Sequence, residues 1–201
     1  MFPVPLRNAA NETLPLRFSL APLAVYDELT QSEDIRINLG KTVAARYVRQ
    51  RSVAKNAAWK LVRGGIGVNT PVPVPENGVS VNLNVPSLSI DAWRSVSNIF
   101  AESTVIEATA EAGALDLSAY ITPDMLGVRA AELIVVDKKF SNVVFGASRQ
   151  RGNWQVNIHS DQAVGYATWN DPTSERGAGK LSARLVSLVV PKSAATDMSD
   201  L

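Results

Sequence analysis

The chain has no cysteine, which excludes disulfides and thiolate-held metal. It has one histidine, His159, so any Ser-His-Asp arrangement would run through that single imidazole, and no nucleophile-elbow pattern accompanies it. The nearby Asp161 reads as turn chemistry. Asp and Glu are scattered over turns, without the spacing of a metal cage or an acid/base pair. Long apolar runs are missing too: Leu133 to Val136 is typical of the longest, against the roughly 18 residues of a membrane helix. The opening MFPVPLRNAANETLPL has neither the charged start nor the apolar stretch of a signal peptide. Twenty basic residues against nineteen acidic ones leave a net charge of +1, too little to draw nucleic acid or an anionic membrane by bulk field. The expectation is a protein without catalysis, cofactor or metal.

What the chain does contain is alternation. At 201 residues and 46% hydrophobic content it can bury a real core. Leu14 to Leu20 alternates loosely, and Tyr26 to Asp34 reads as a loop or a short helical turn. Ile35, Ile37 and Leu39 then fall on one face of a strand, and Gly40-Lys41 turns it into a second strand, Thr42 to Gln50. Arg46, Arg49 and Arg51 cluster there with Lys55 beyond, as a phosphate-contacting patch or, more readily, a solvated face that blocks aggregation. Trp59 to Val68 reads as a strand. Its Gly64, Gly65 and Gly67 lack the spacing of a phosphate loop. Pro71, Pro73 and Pro75 cannot sit in a central strand and predict a connection over a sheet edge. Val79, Val81, Leu83 and Val85 restart the period of two.

One helix is predicted over Asp91 to Phe100, capped by Ser89 or Asp91, with Ile90, Trp93, Val96 and Phe100 as its stripe. Residues 101–124 read as a connector. A meander of five strands follows: Leu126 to Asp137, a turn at Lys138-Lys139, Phe140 to Arg149, Trp154 to His159, Ala163 to Trp169, and Lys180 to Pro191. In the Trp154 strand, Trp154, Val156 and Ile158 share one face, with Gln155, Asn157 and His159 on the other. The organisation is thus a lead-in (1–13), strands with one helix (14–100), a connector (101–124), the meander (125–191) and a polar tail (192–201). The fold class is all-β, a curved and mainly antiparallel sheet.

The order of motifs resembles a known family. Arg63-Gly64-Gly65-Ile66, the turn Pro75 to Gly78, the helix start Leu88-Ser89-Ile90-Asp91-Ala92-Trp93, the tryptophan-led strand at Trp154, the hairpin Gly165 to Trp169, and Arg184 to Pro191 follow one another as in the YhdP branch of the AsmA-like envelope proteins. The resemblance runs from Leu14 to Pro191. Ser89 stands where that family often has aspartate, and serine caps equally well.

The resemblance implies a segment of a long lipid-transfer protein, anchored in the inner membrane of a Gram-negative bacterium and spanning the periplasm. Its partners would be phospholipid and, through parts outside this segment, both membranes; nucleic acid is not expected. Apolar strand faces would then carry acyl chains, and the candidate groove residues are Ile35, Ile37, Leu39, Trp154, Val156, Ile158, Leu181, Ala183 and Leu185. Two other readings stay open on the residues alone. One is a structural β module closed as a sandwich, and the other is a carbohydrate- or ligand-binding β domain using Trp59, Trp93, Trp154 and Trp169.

Overall fold

The computed structural model describes residues 14–24, 29–54, 57–90, 92, 118–135, 138–150, 152–170 and 179–189. They form ten strands in a single open sheet whose spatial order is the chain order. The strands are β1 (Leu16–Leu23), β2 (Thr30–Leu39), β3 (Val43–Ser52), β4 (Lys60–Val68), β5 (Gly78–Ser89), β6 (Met125–Val135), β7 (Lys138–Gln150), β8 (Asn153–His159), β9 (Ala163–Asn170) and β10 (Lys180–Leu188). A single helical turn, α1 (Ser118–Ile121), stands before β6. The fold is all-β, and the sheet is curved.

Neighbouring strands pair antiparallel except at β4–β5 and β5–β6, which are parallel. A parallel pair needs a crossover that carries the chain back along the strand. Between β4 and β5 the Pro-rich run supplies it, and it lies over a face of β4 rather than over a sheet edge. A Cβ on Gly65 would overlap the carbonyl of Pro73, and one on Gly67 the backbone of Thr70 and Pro71. Glycine at these two positions is therefore what lets the connection lie flat on the strand. An extended Pro-rich chain covers about 3.1 Å per residue, so this short run suffices for the return.

Several boundaries differ from the sequence reading. Thr30 to Asp34 belong to β2 rather than to a loop: Gln31 and Glu33 face Arg51 and Arg49 across the ladder, so polar pairing replaces the apolar alternation that marks a strand. Lys138 and Lys139 lie in β7, opposite Val135 and Ile134, rather than in a turn. Most of the helix predicted over 91–100 lies outside the described residues. Its start agrees with the expectation, since the Ala92 N–H donates to Ser89 Oγ at 3.2 Å.

The main core cluster joins Leu88, Val128, Ala130, Leu133 and Val143, with Leu83, Val85, Phe140 and Phe145 packed against it. Period two alone would not put Ala130 and Leu133 on one face. Pairing skips Pro86, Ala131 and Asn142, one residue in each of three adjacent strands, and Asn142 has a φ of 55°. This row of irregularities restores Leu88, Leu133 and Phe140 to the side of Val85, Ala130 and Val143. Such interruptions also bend strands, which suits a curved sheet. The bend is tied down from the β8–β9 turn, where Asn142 Nδ2 donates to Asp161 Oδ2 at 2.8 Å and the Ser141 N–H donates to Gln162 Oε1 at 2.6 Å.

Candidate functional site

Following the register across the sheet separates its two faces. Phe18 stands opposite Ile37, Ile37 opposite Ala45, and Ala45 opposite Ile66. Ile66 neighbours Val81, and Val81 neighbours Leu126. Leu126 stands opposite Ala147, then come Val156, Ala167 and Ala183 in turn. Every strand contributes apolar side chains to this face. The flanking rows add Leu20, Ile35, Tyr47 and Val79 on one side, and Leu16, Leu39, Val43, Val68, Leu83, Val128, Phe145 and Ile158 on the other.

Exposure along this face changes with position. It is low in the middle strands, at 2% for Val79 and 6% for Val128, and high at the flanks, at 65% for Phe18 and 64% for Leu181. The apolar character is thus continuous from strand to strand, while the exposed apolar surface lies at the flanks, and clustered exposed apolar residues of this kind mark a binding surface.

The nine residues expected to form the groove all lie on this face. They do not form one compact cluster: Ile35, Ile37 and Leu39 sit on β2, and the other six on β8 and β10 toward the far flank. The β8 alternation is visible directly, with Trp154, Val156 and Ile158 half-buried and Gln155, Asn157 and His159 exposed. Sequence reading did not assign the middle of the face, on β3 to β7, to the groove. The period-two signal of Val79, Val81 and Leu83 was available, but its face depends on a parallel register that turn chemistry does not fix.

The opposite face is polar. Asp34 lies there, buried, and its carboxylate accepts from Arg36 Nε and Nη2 at 2.9 and 2.7 Å and from Arg46 Nε and Nη2 at 2.9 and 3.1 Å. Burial raises the Asp34 pKa, but the hydrogen bonds from Arg46 and then Arg36, with the charge of both guanidiniums, outweigh it and hold the carboxyl below its ordinary value. The folded value therefore lies below the unfolded one of about 3.9. The stabilisation is complete above about pH 4 and is lost as pH falls through the lowered value. Asp34→Asn is expected to cost about 1.5–3 kcal/mol at pH 7, the range for charged hydrogen bonds. In urea unfolding at several pH values, the gap between wild type and variant narrows below about pH 4. A gap that does not change with pH contradicts this reading.

The basic cluster read at Arg46, Arg49 and Arg51 splits between the faces. Arg46 joins Asp34, whereas Arg49 and Arg51 stand on the apolar face. There Arg49 Nη2 contacts Glu33 Oε2 at 2.7 Å, and Arg51 Nε donates to Gln31 Oε1 at 2.8 Å. Arg49 is thus an ion-paired, mostly covered side chain rather than a freely solvated one, with 14% of its side chain exposed. Lys55 lies outside the described residues. At the same end of the face the Tyr47 hydroxyl donates to the Tyr120 carbonyl of α1 at 3.0 Å, and the two rings meet edge to face at 5.2 Å. Burial, then the neighbouring Tyr120, raises the Tyr47 pKa, so its hydroxyl stays protonated as a donor.

His159 is exposed, and the Asp161 carboxylate is engaged by Asn142. Among the described residues no group of three His, Cys, Asp or Glu gathers as metal ligands, and no helix is long and apolar enough to cross a membrane. A depression of about 600 Å³ beside the row of irregularities is lined by Asn84, Pro86, Arg129, Asn142 and Val144 among others, without an acid/base pair.

Comparison with curated proteins and with solved structures found no match. A family model described as YhdP protein matches residues 1–200, nearly the whole chain. With the order of motifs from Arg63 to Pro191 and an open sheet carrying one continuous apolar face, the match is decisive: this chain belongs to the YhdP family, a branch of the AsmA-like proteins of the bacterial envelope.

Proposed function

We propose that the chain is a segment of a periplasm-spanning lipid-transport protein, in which the apolar face of the sheet carries phospholipid acyl chains passively between inner and outer membrane. The observation that carries this reading is the continuity of the apolar face from Phe18 on β1 to Ala183 on β10. Acyl chains need a long, unbroken apolar surface and no particular hydrogen bond, and a face assembled row by row from Ile, Leu, Val and Ala provides that. The polar opposite face, with Arg36, Arg46, Asn157 and Arg184, keeps the other side in water.

A closed sandwich would need a second sheet packed on the apolar one, and the described residues form a single sheet. Of the tryptophans in the carbohydrate-binding reading, Trp59 has two guanidiniums stacked on it, Trp93 lies outside the described residues, and Trp154 faces Trp169 across the β8–β9 ladder. The test is lipid extraction from the purified chain, followed by mass spectrometry and titration with a fluorescent fatty acid. The reading expects bound phospholipid and saturable uptake; a chain that carries no lipid and takes up no probe contradicts it.

A further inference from the structure

The apolar face is not symmetric along its strands, and its asymmetry gives a bound lipid an orientation. At the end formed by the start of β2, the end of β3 and the approach to β4, the face turns polar within one step. Ile35 and Tyr47 are followed by Glu33 and Arg49, then by Gln31 and Arg51. Trp59, two residues before the Leu61 that pairs with Arg49, completes the corner: the guanidinium carbons of Arg49 and Arg51 lie 4.5 and 4.6 Å from its ring centroid. At the opposite end of the sheet, strands β1 to β4 show Leu16, Leu39, Val43 and Val68 on this face.

We propose that the Arg49–Trp59–Arg51 corner binds the phosphate of a phospholipid whose acyl chains lie on the adjoining apolar face, an inference that rests on the lipid-carrying role of that face.

Charge supports this directly. Glu33 pairs with Arg49 and not with Arg51, so among the described residues two guanidiniums and one carboxylate leave the corner one positive charge in excess (+2 − 1 = +1). Arg51 is exposed, and its Nε is given to a neutral partner, Gln31. The fork of guanidinium donors matches a phosphate bidentately, and stacking on an indole holds the guanidinium plane ready for it. Trp59 suits the level of a headgroup, with an apolar ring body and one polar N–H.

Geometry ties the phosphate to a lipid rather than to a free anion. Ile35 and Tyr47, two residues along from Glu33 and Arg49 or about 6.6 Å at about 3.3 Å per residue, are themselves buried. The exposed apolar side chains of this row and the next are Leu20 and Phe18 on β1, so a headgroup at the corner puts its acyl carbons there. The same pairing of residue types recurs at this end of the sheet, where Arg149 stands opposite Trp154 and Trp154 opposite Trp169.

The experiment titrates the 201-residue chain with three probes: a 14-carbon lysophosphatidylglycerol below its micelle concentration, a monoacylglycerol with the same chain but no phosphate, and inorganic phosphate. Wild type should prefer the phosphate-bearing lipid. Arg51→Gln should weaken that lipid by about ten-fold, as expected for a lost charged hydrogen bond, and leave the monoacylglycerol within about two-fold. Arg184→Gln, on the polar face, should change neither, which controls for net charge. Equal phosphate preference in wild type and Arg51→Gln overturns the headgroup site while leaving the apolar face as a lipid carrier. Inorganic phosphate binding as tightly as the lysolipid overturns it in favour of a free-anion site. Failure of the wild type to bind either lipid removes the carrier reading and this inference with it.

Discussion

Val156→Asp is expected to abolish lipid binding while leaving the chain folded. Val156 sits at mid-strand on β8, half-buried, between Ala147 and Ala167 on the neighbouring strands. A carboxylate there stands where acyl chains are proposed to lie, and burying it beneath hydrocarbon without a partner is strongly unfavourable. In the unliganded protein the same carboxylate reaches water along the open face, so the stability cost stays near about 1 kcal/mol, or about 2–4 °C in melting temperature for a chain of this size. Fluorescent fatty-acid titration and thermal unfolding measured together distinguish the outcomes. Lost uptake with a small thermal shift supports the account. Unfolding at ambient temperature would mean that this part of the face is covered, and would argue for a closed structural module.

The opposite outcome is expected at Val143. Its side chain is 0% exposed and packs with Leu88, Val128, Ala130 and Leu133 where the three bent strands meet. An aspartate at this position would replace a fully buried side chain surrounded by apolar ones. A penalty of several kcal/mol approaches the 5–15 kcal/mol, roughly, that stabilises a whole domain. Val143→Asp should therefore yield insoluble or unfolded protein by circular dichroism, whereas Val143→Ala, which only removes methyl groups, remains folded with a lower melting temperature. A soluble, cooperatively folding Val143→Asp protein would show that the bend does not enclose a core.

The contrast between these two valines also shows what the sequence makes legible. Val156 belongs to a run, Trp154 to His159, in which apolar and polar residues alternate without interruption, so its strand, its face and its neighbours on that face follow from the pattern. The β2–β3 hairpin was readable for the same reason, with Ile35, Ile37 and Leu39 on one side and a Gly-Lys turn after them. Val143 and Val144 are adjacent and equally apolar, and period two alone cannot say which is inside. That depends on Asn142 adopting a left-handed backbone and dropping out of the ladder, in step with Pro86 and Ala131 on other strands. Such coordination is a property of three strands together and leaves no local mark in any one of them.

Two further features were hidden for related reasons. The parallel crossovers around β5 are long-range choices, and proline excludes a central strand without telling whether the connection runs past an edge or over a face. The glycines at Gly65 and Gly67 carried that information only once the Pro-rich run was known to lie on them. The corner of Arg49, Arg51 and Trp59 was partly legible, because residues two apart on a strand share a face whereas Arg46 falls on the other. Trp59 joins them only through the β3–β4 register, which shifts between Val48 and Arg49.

The most direct test of the central claim resolves the two faces of the sheet. A photo-crosslinking residue is placed in turn at Ile37, Val156 and Ala183 on the apolar face, and at Asn157 and Arg184 on the polar one. Each protein is incubated with phospholipid vesicles, irradiated and examined by mass spectrometry for lipid adducts. The account predicts adducts from Ile37, Val156 and Ala183, on three separate strands of one face, and none above background from Asn157 or Arg184. Adducts from both faces alike, or from neither, would contradict it.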